Sequence, residues 1–353
     1  GGTSIMAIID KPSDYFRTKT FTGNGTNDTA ITWDESSNMQ PDFLWFKNRS
    51  QAQSHALFDV IRGADKRLIS NSTGAEGTEA TNLDSFDTNG FTVDNEAIVN
   101  GNNDNMVTWG WKAGTSFTND ASSTGIGTID STGSVNTDAG FSIISYTGNA
   151  TTNATVAHGL GVAPSMMIVK KLNGAFNWGI YHKTLTAHKL ITFTTNTPDD
   201  DASYWNDVEP TSTVFNLGSG ALTNGSGSTM IAYCFAEKQG FSKFSSYTGN
   251  GNADGTFIYT GFKPAFIMIK RTDVAKNWYI NDNLRDGYNN DNPYLSPNLS
   301  AAETGGTEID ILSNGFKITA SGTGHNASGG TYIYMAIAEN PFVASNFNAA
   351  TAR

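Results

Sequence analysis

The side chains best able to do chemistry in this chain are carboxylates, and two arrangements of them stand out. Asp199, Asp200 and Asp201 follow Pro198 and precede Tyr204 and Trp205. Three consecutive carboxylates beside an aromatic ring can hold calcium or contact a sugar; the same string also makes a solvated turn. Asp207 and Glu209 complete this acidic cluster. A polysaccharide-degrading enzyme needs two carboxylates facing each other across a groove and would have to draw both from this one segment. The second arrangement is Asp59 with Arg62, which recurs as Asp282 with Arg285. Such a pair can bind a ligand, or can pin a loop by a charge-assisted hydrogen bond. Trp33 and Trp205 lie in polar surroundings and are the candidates for exposed aromatic platforms, the alternative being that they pack inside as large aromatics usually do. Lys47, Lys170 and Lys270 each end an apolar run. Each can contact a ligand, or can lay its stem over apolar surface and keep its ammonium in water.

Other chemistries find no footing. The phosphate-cradling glycine loops, the His-Glu-x-x-His zinc motif and the Gly-x-Ser-x-Gly elbow do not occur. The histidines at 55, 158, 182, 188 and 325 are scattered, and Cys234 is the one cysteine. No intrachain disulfide or cysteine-based zinc site can form, and Cys234 reads as a small buried hydrophobe. Asp87-Thr-Asn-Gly90 and Asn252-Ala-Asp-Gly255 share a fragment of a calcium loop without its remaining ligands. No catalysis, cofactor or metal is expected. The net charge of -11, from 22 basic and 33 acidic residues, speaks against neutralising nucleic-acid phosphates. The basic residues form no long run, which speaks against an anionic membrane surface. The apolar runs are too short for a membrane-spanning helix. No signal peptide is expected, and Met6 is read as the native start, with residues 1–5 foreign to the protein.

The elements that must carry these residues follow from an internal repeat. Three openings are alike: Phe21-Thr-Gly-Asn-Gly25, Tyr146-Thr-Gly-Asn149 and Tyr247-Thr-Gly-Asn-Gly251. Each leads to a proline, one further residue, four apolar residues and a lysine: Phe43-Leu-Trp-Phe46 before Lys47, Met166-Met-Ile-Val169 before Lys170, and Phe266-Ile-Met-Ile269 before Lys270. Four large apolar residues in a row predict a central strand buried on both faces. Each copy closes on an aromatic and β-branched run, Met106–Trp111, Met230–Phe235 and Tyr332–Ile337. Trp109 and Trp111 alternate along theirs and so share one side, taken as core. Asn89-Gly-Phe91 matches Asn314-Gly-Phe316. His182 stands in the middle copy where Asp59 and Asp282 stand in the others.

The composition, 38% hydrophobic and only 16% charged with Gly, Asn, Thr and Ser abundant, suits short strands joined by turns. The fold class expected is all-β: tandem, jelly-roll-like β-sandwiches, three homologous repeats of about 100 residues, each the size of an independent domain. The division is 1–14 as an N-terminal arm, 15–114 as the first repeat, 115–139 as a linker or long loop, 140–239 and 240–342 as the second and third repeats, and 343–353 as a tail. Ser54–Ile61 and the stretch from Ser300 to Glu303 are the candidates for short helices, with irregular loop as the alternative for both.

The opening motif, Pro41-Asp-Phe-Leu-Trp-Phe-Lys-Asn-Arg49, Ser54-His-Ala-Leu-Phe-Asp-Val-Ile-Arg-Gly63, Asn314-Gly-Phe316, Tyr332–Phe342 and Ala349-Ala-Thr-Ala-Arg353 resemble a domain of tailed-bacteriophage structural and tail-fibre-like proteins, notably of marine phages. The resemblance covers nearly the whole chain and carries no catalytic set. It implies a β-rich virion protein at the particle surface, most simply in the tail fibre or adhesion apparatus. Such a protein would bind a host-surface glycan or other virion subunits, and by analogy would form a homotrimer. The alternatives are a capsid decoration or head-fibre protein and, from another class, the polysaccharide-degrading enzyme above.

Overall fold

The computed structural model describes residues 9–285, 289, 292–343 and 349–351; the presumed foreign residues 1–5 and part of the 343–353 tail lie outside them. The chain is all-β, built from antiparallel sheets and a few single-turn helices. After a 3-10 turn at Pro12–Asp14 come β1 (Phe16–Thr22), β2 (Thr29–Thr32), β3 (Phe43–Asn48), β4 (Ala56–Asp59), β5 (Gly63–Ile69), β6 (Gly77–Thr78), β7 (Leu83–Asp87), β8 (Gly90–Val93), α1 (Ala97–Asn100) and β9 (Asn105–Trp111). Next are β10 (Thr115–Asn119), α2 (Ala121–Thr124), β11 (Ser131–Asn136), β12 (Phe141–Thr147), β13 (Ala154–Ala157), β14 (Met166–Lys171), β15 (Gly179–His182), β16 (Lys189–Leu190) and β17 (Asp199–Asp200). They are followed by α3 (Ala202–Trp205), β18 (Val214–Leu217), α4 (Ala221–Asn224) and β19 (Thr229–Phe235). The last strands are β20 (Ser242–Thr248), β21 (Phe257–Tyr259), β22 (Phe262–Arg271), β23 (Trp278–Asp282), β24 (Ile309–Leu312), β25 (Gly315–Ile318) and β26 (Thr331–Pro341).

One strand order occurs three times: β1-β9-β3-β4, β12-β19-β14-β15 and β20-β26-β22-β23. The register repeats with it. Trp45 faces Trp109, Ile168 faces Tyr233 and Met268 faces Met335. Each large sheet is backed by a small one, β2-β8-β7, β13-β18 or β21-β25-β24. The four-residue apolar runs are buried on both faces, as their composition predicts, and the period-2 alternation sorts them. Leu44 and Phe46 pack on Phe91 and Val93 under the first small sheet. Met167 and Val169 do the same with Phe215 and Leu217, and Ile267 and Ile269 with Phe316 and Ile318.

The opposite faces of all three large sheets enter one common core. Phe43, Trp45, Trp109 and Trp111 meet Ile168, Tyr233 and Phe235 of the second segment and Phe266, Met268 and Met335 of the third. Phe43 stacks on Tyr233 with centroids 4.3 Å apart, and Trp109 meets Phe266 edge-on at 5.6 Å. The segments are therefore not self-contained sandwiches: roughly half of what each large sheet buries is another segment.

The structure decides three local readings. The stretch 115–139 is neither linker nor loop. Its β10 and β11 extend the second large sheet, with the single turn α2 between them. It contains few apolar residues because it forms the outer edge of that sheet. Ser54–Ile61 contains β4, not a helix; Leu57 points into the common core while Ala56 and Phe58 point into the first segment's own core. Ser300–Glu303 is likewise not helical.

The Thr-Gly-Asn openings have a mechanical role. Buried Asn100, Asn224 and Asn326 accept the backbone N–H of Asn24, Asn149 and Asn250 at 2.8–2.9 Å. The preceding Gly23, Gly148 and Gly249 lie so close to this turn that a Cβ would stand 2.2–2.4 Å from a backbone oxygen. Only glycine permits that approach.

Candidate functional site

The recurrent Asp–Arg pairs are inside the molecule, at the seams between segments. Asp59 begins the turn after β4. Its Oδ1 accepts the backbone N–H of Ile61 and Arg62, and its Oδ2 accepts Arg62 Nε at 2.6 Å and, from the second segment, Tyr233 Oη at 2.6 Å. Asp282 repeats this geometry. Its Oδ2 accepts Arg285 Nε at 2.6 Å and, from the first segment, Trp109 Nε1 at 3.0 Å. Each arginine then reaches a glutamate, Glu76 at 3.1 Å or Glu303 at 2.7 Å. Burial opposes the charge on Asp282, but Arg285 and two backbone N–H groups outweigh it and hold the carboxyl below its ordinary value. Of the two readings in the sequence, the geometry selects the pin: Asp59 and Arg285 are fully buried, and each of their side-chain nitrogens and oxygens has a partner within the protein.

The middle segment shows why its aspartate is missing. Tyr233 and Trp109 occupy equivalent register positions, and the third equivalent is Met335, which has no donor to offer a carboxylate. The arginine position is Leu185. His182 instead places Nε2 3.1 Å from the backbone oxygen of Tyr334, and its Nδ1 2.9 Å from Thr184 Oγ1. Burial lowers the imidazole to about 4, so it is neutral and donates to the carbonyl. The three contacts run from the first segment to the second, the second to the third and the third to the first, closing a ring.

The three lysines mark the same seams, and their ammonium groups are not in water. Lys47, Lys170 and Lys270 are fully buried. Lys170 Nζ donates to Phe176 O at 2.5 Å and to Thr73 O of the first segment at 2.9 Å. Lys270 Nζ donates to Lys276 O at 2.5 Å and to Thr195 O of the second at 3.0 Å. Lys47 Nζ donates to Asn48 O and Gln51 O. At that third seam Arg49 binds Glu303 through Nε and Nη2, at 2.8–3.1 Å. Burial lowers each lysine to about 8. Trp178 and Trp278 follow the pattern, donating Nε1 to Ile69 O and Thr192 O of the preceding segment.

The aromatic platforms are also overturned. Trp33 is 4% and Trp205 1% exposed. Trp33 lies over Gly110, where a Cβ would stand 2.7 Å from its ring, and donates Nε1 to Met39 O at 2.8 Å. Trp205 in α3 packs edge-on against Tyr181. The acidic string is a capped turn. Asp201 accepts Ser203 N–H at 2.7 Å as the α3 N-cap, Asp199 accepts Tyr204 Oη at 3.0 Å, and Asp200 pairs with Lys189 in a two-residue ladder. Asp199 and Asp200 are exposed. Cys234 is buried as expected, its thiol pushed up to about 12. Among the described residues no three His, Cys, Asp or Glu side chains converge as a metal site.

Among the described residues a cleft of about 1100 Å³ lies open, lined by the second and third segments and by residues 9–15. Glu237 lies within it, between Lys243 Nζ at 2.8 Å and Lys183 Nζ at 2.5 Å. Tyr259, 60% exposed, stands at its margin. Sequence reasoning passed over this tyrosine and the buried Asn100, Asn224 and Asn326. The asparagines had a signal, since each stands a few residues before a closing strand.

Residues 11–341 match a family described as Domain of unknown function (DUF7483). The chain belongs to that family. No curated protein matches it. The family's match spans all three segments and the seams between them, so the closed ring falls within a single family unit.

Two outcomes follow. His182→Asp places an ionised carboxylate against a carbonyl with no arginine at Leu185; it costs about 3–5 kcal/mol, read as a fall in denaturant midpoint. Adding Leu185→Arg recovers part of that loss. Equal stability of wild type and the single variant would remove the seam's electrostatic logic. The second outcome concerns the lysines. The folded chain releases their protons near 8 and the unfolded chain only near the ordinary lysine value. Between the two, the unfolded state holds more protons, so stability rises with pH from about 8 to about 10. Above that, ionising tyrosines in the unfolded chain oppose the rise. Lys170→Met and Lys270→Met flatten it in melting curves across this window; a flat wild-type profile would contradict the assignment.

Proposed function

We propose that this chain is a structural protein of a tailed-bacteriophage virion, part of the tail fibre or adhesion apparatus at the particle surface, acting by binding and not by catalysis. We read its three segments as homologous repeats of jelly-roll-like β-sandwich ancestry. One observation carries the reading: the polar residues that recur between segments, Asp59, Arg62, Asp282, Arg285 and the three lysines, are directed inward, and the Asp–Arg pairs with Lys170 and Lys270 join the segments to one another. The function they serve is assembly of a rigid closed body. The phage-like motifs and the acidic net charge, which limits non-specific adhesion to nucleic acid, support it further. Most oligomers obtain closed symmetry from several chains; here one chain supplies three equivalent segments around its own core. Partners of the body are other virion subunits and a host-surface glycan.

Immunogold labelling of purified particles tests the proposal and separates tail from head. Label at the tail or baseplate is the expected result. Label on the capsid would assign a decoration role, and particles without label would end the virion reading.

A further inference from the structure

The three small sheets present equivalent outer strands, β2, β13 and β21, and these differ in what they show to solvent. Thr32 pairs with Gly90 as Tyr259 pairs with Gly315, so Ala30 and Thr32 correspond to Phe257 and Tyr259. On β2 these side chains are small. On β13 the edge is covered, because Thr128 and Ile129 donate their N–H groups to Thr155 O. On β21 both rings are exposed, Phe257 at 46% and Tyr259 at 60%, while Ile258 between them enters the core. Alternate residues of a strand stand about 7 Å apart on one face. The two rings therefore stand exposed on one face, in none of the aromatic contacts of the core, beside a cleft that Tyr259 helps to line. Lysines and carboxylates line that cleft in equal number, Lys11, Lys183, Lys238 and Lys243 against Asp10, Asp14, Asp138 and Glu237, within a chain of net charge -11.

We propose that β21 and this cleft form one binding site for a polysaccharide, with Phe257 and Tyr259 stacking on sugar faces and the cleft bonding sugar hydroxyls. The complementarity is chemical. A hydroxyl both donates and accepts, and the cleft offers donors and acceptors in balance; a polyanion would need an excess of cations, and an apolar peptide would cut the ion pairs of Glu237 with Lys183 and Lys243 off from water without bonding to them. A peptide strand is disfavoured too, since β21 offers only three residues of ladder. The proposal rests on the binding role argued above and gives it a place and a ligand class.

The test measures binding of the full chain to immobilised dextran, alginate, dextran sulfate and a cell-envelope polysaccharide extract. The expected result is binding to dextran or to the extract that changes little between low and high salt. Joint Phe257→Ala and Tyr259→Ala substitution weakens it about tenfold or more, with an unchanged melting temperature; Thr32→Ala leaves it intact. Binding to none of the four, equal binding by the double variant, or binding to dextran sulfate alone that high salt abolishes would overturn the site. So would a dimer in light scattering that the double variant dissolves. Labelled particles with no polysaccharide binding would overturn this site and leave the virion role standing; polysaccharide binding by a protein absent from particles would do the reverse.

Discussion

Three sheets share one apolar core in this chain, and a recurrent set of buried polar residues makes that sharing possible. A sheet that turns aromatic rings toward two neighbours must also bring its strand ends and loops together where the sheets meet. Backbone carbonyls at those places are cut off from water, and each must find a donor. The buried lysines, the tryptophan N–H groups of Trp178 and Trp278, and His182 are those donors. The Asp–Arg pairs fix the turns that carry the seams and accept a donor from the next segment. Hydrophobic burial supplies the drive for association, and the seam hydrogen bonds set which faces can meet.

Substitutions between equivalent positions obey the same constraint. Where the facing residue is Tyr233 or Trp109, an aspartate with its arginine is found; where it is Met335, a neutral histidine addresses the backbone instead. His55 stands where Trp178 and Trp278 stand in the other segments. It faces the backbone of Ser296, and its Nε2 lacks a hydrogen bond of good geometry, the smaller ring falling short of what indole reaches. The seam that joins the first segment to the third is the one with Arg49 clasped on Glu303. It is also the seam that no covalent connection between consecutive segments helps to close.

Within a strand, much was legible. Four apolar residues after a proline announced burial on both faces, and Trp109 and Trp111 announced a shared side. The seams were not legible, because their chemistry depends on residues far away in sequence. Nothing near Lys170 reveals that Thr73 O awaits its ammonium, so it reads as an ordinary strand-end lysine. Trp33 looks exposed among its polar neighbours until Gly110 is seen to make room for it. The 115–139 stretch lacks apolar signal because an outer hairpin needs little. For the binding site, the acidic string and the polar-flanked tryptophans drew attention by composition. Phe257 and Tyr259 are distinguished only by comparison with the equivalent strands, where the same positions are small or covered.

The central claim is that the three segments form one cooperative body and not a string of domains. Differential scanning calorimetry of the full chain tests it most directly. The account predicts a single transition whose calorimetric and van't Hoff enthalpies agree. Separate transitions, or a calorimetric enthalpy several times the van't Hoff value, would show segments that melt independently and would contradict the shared core.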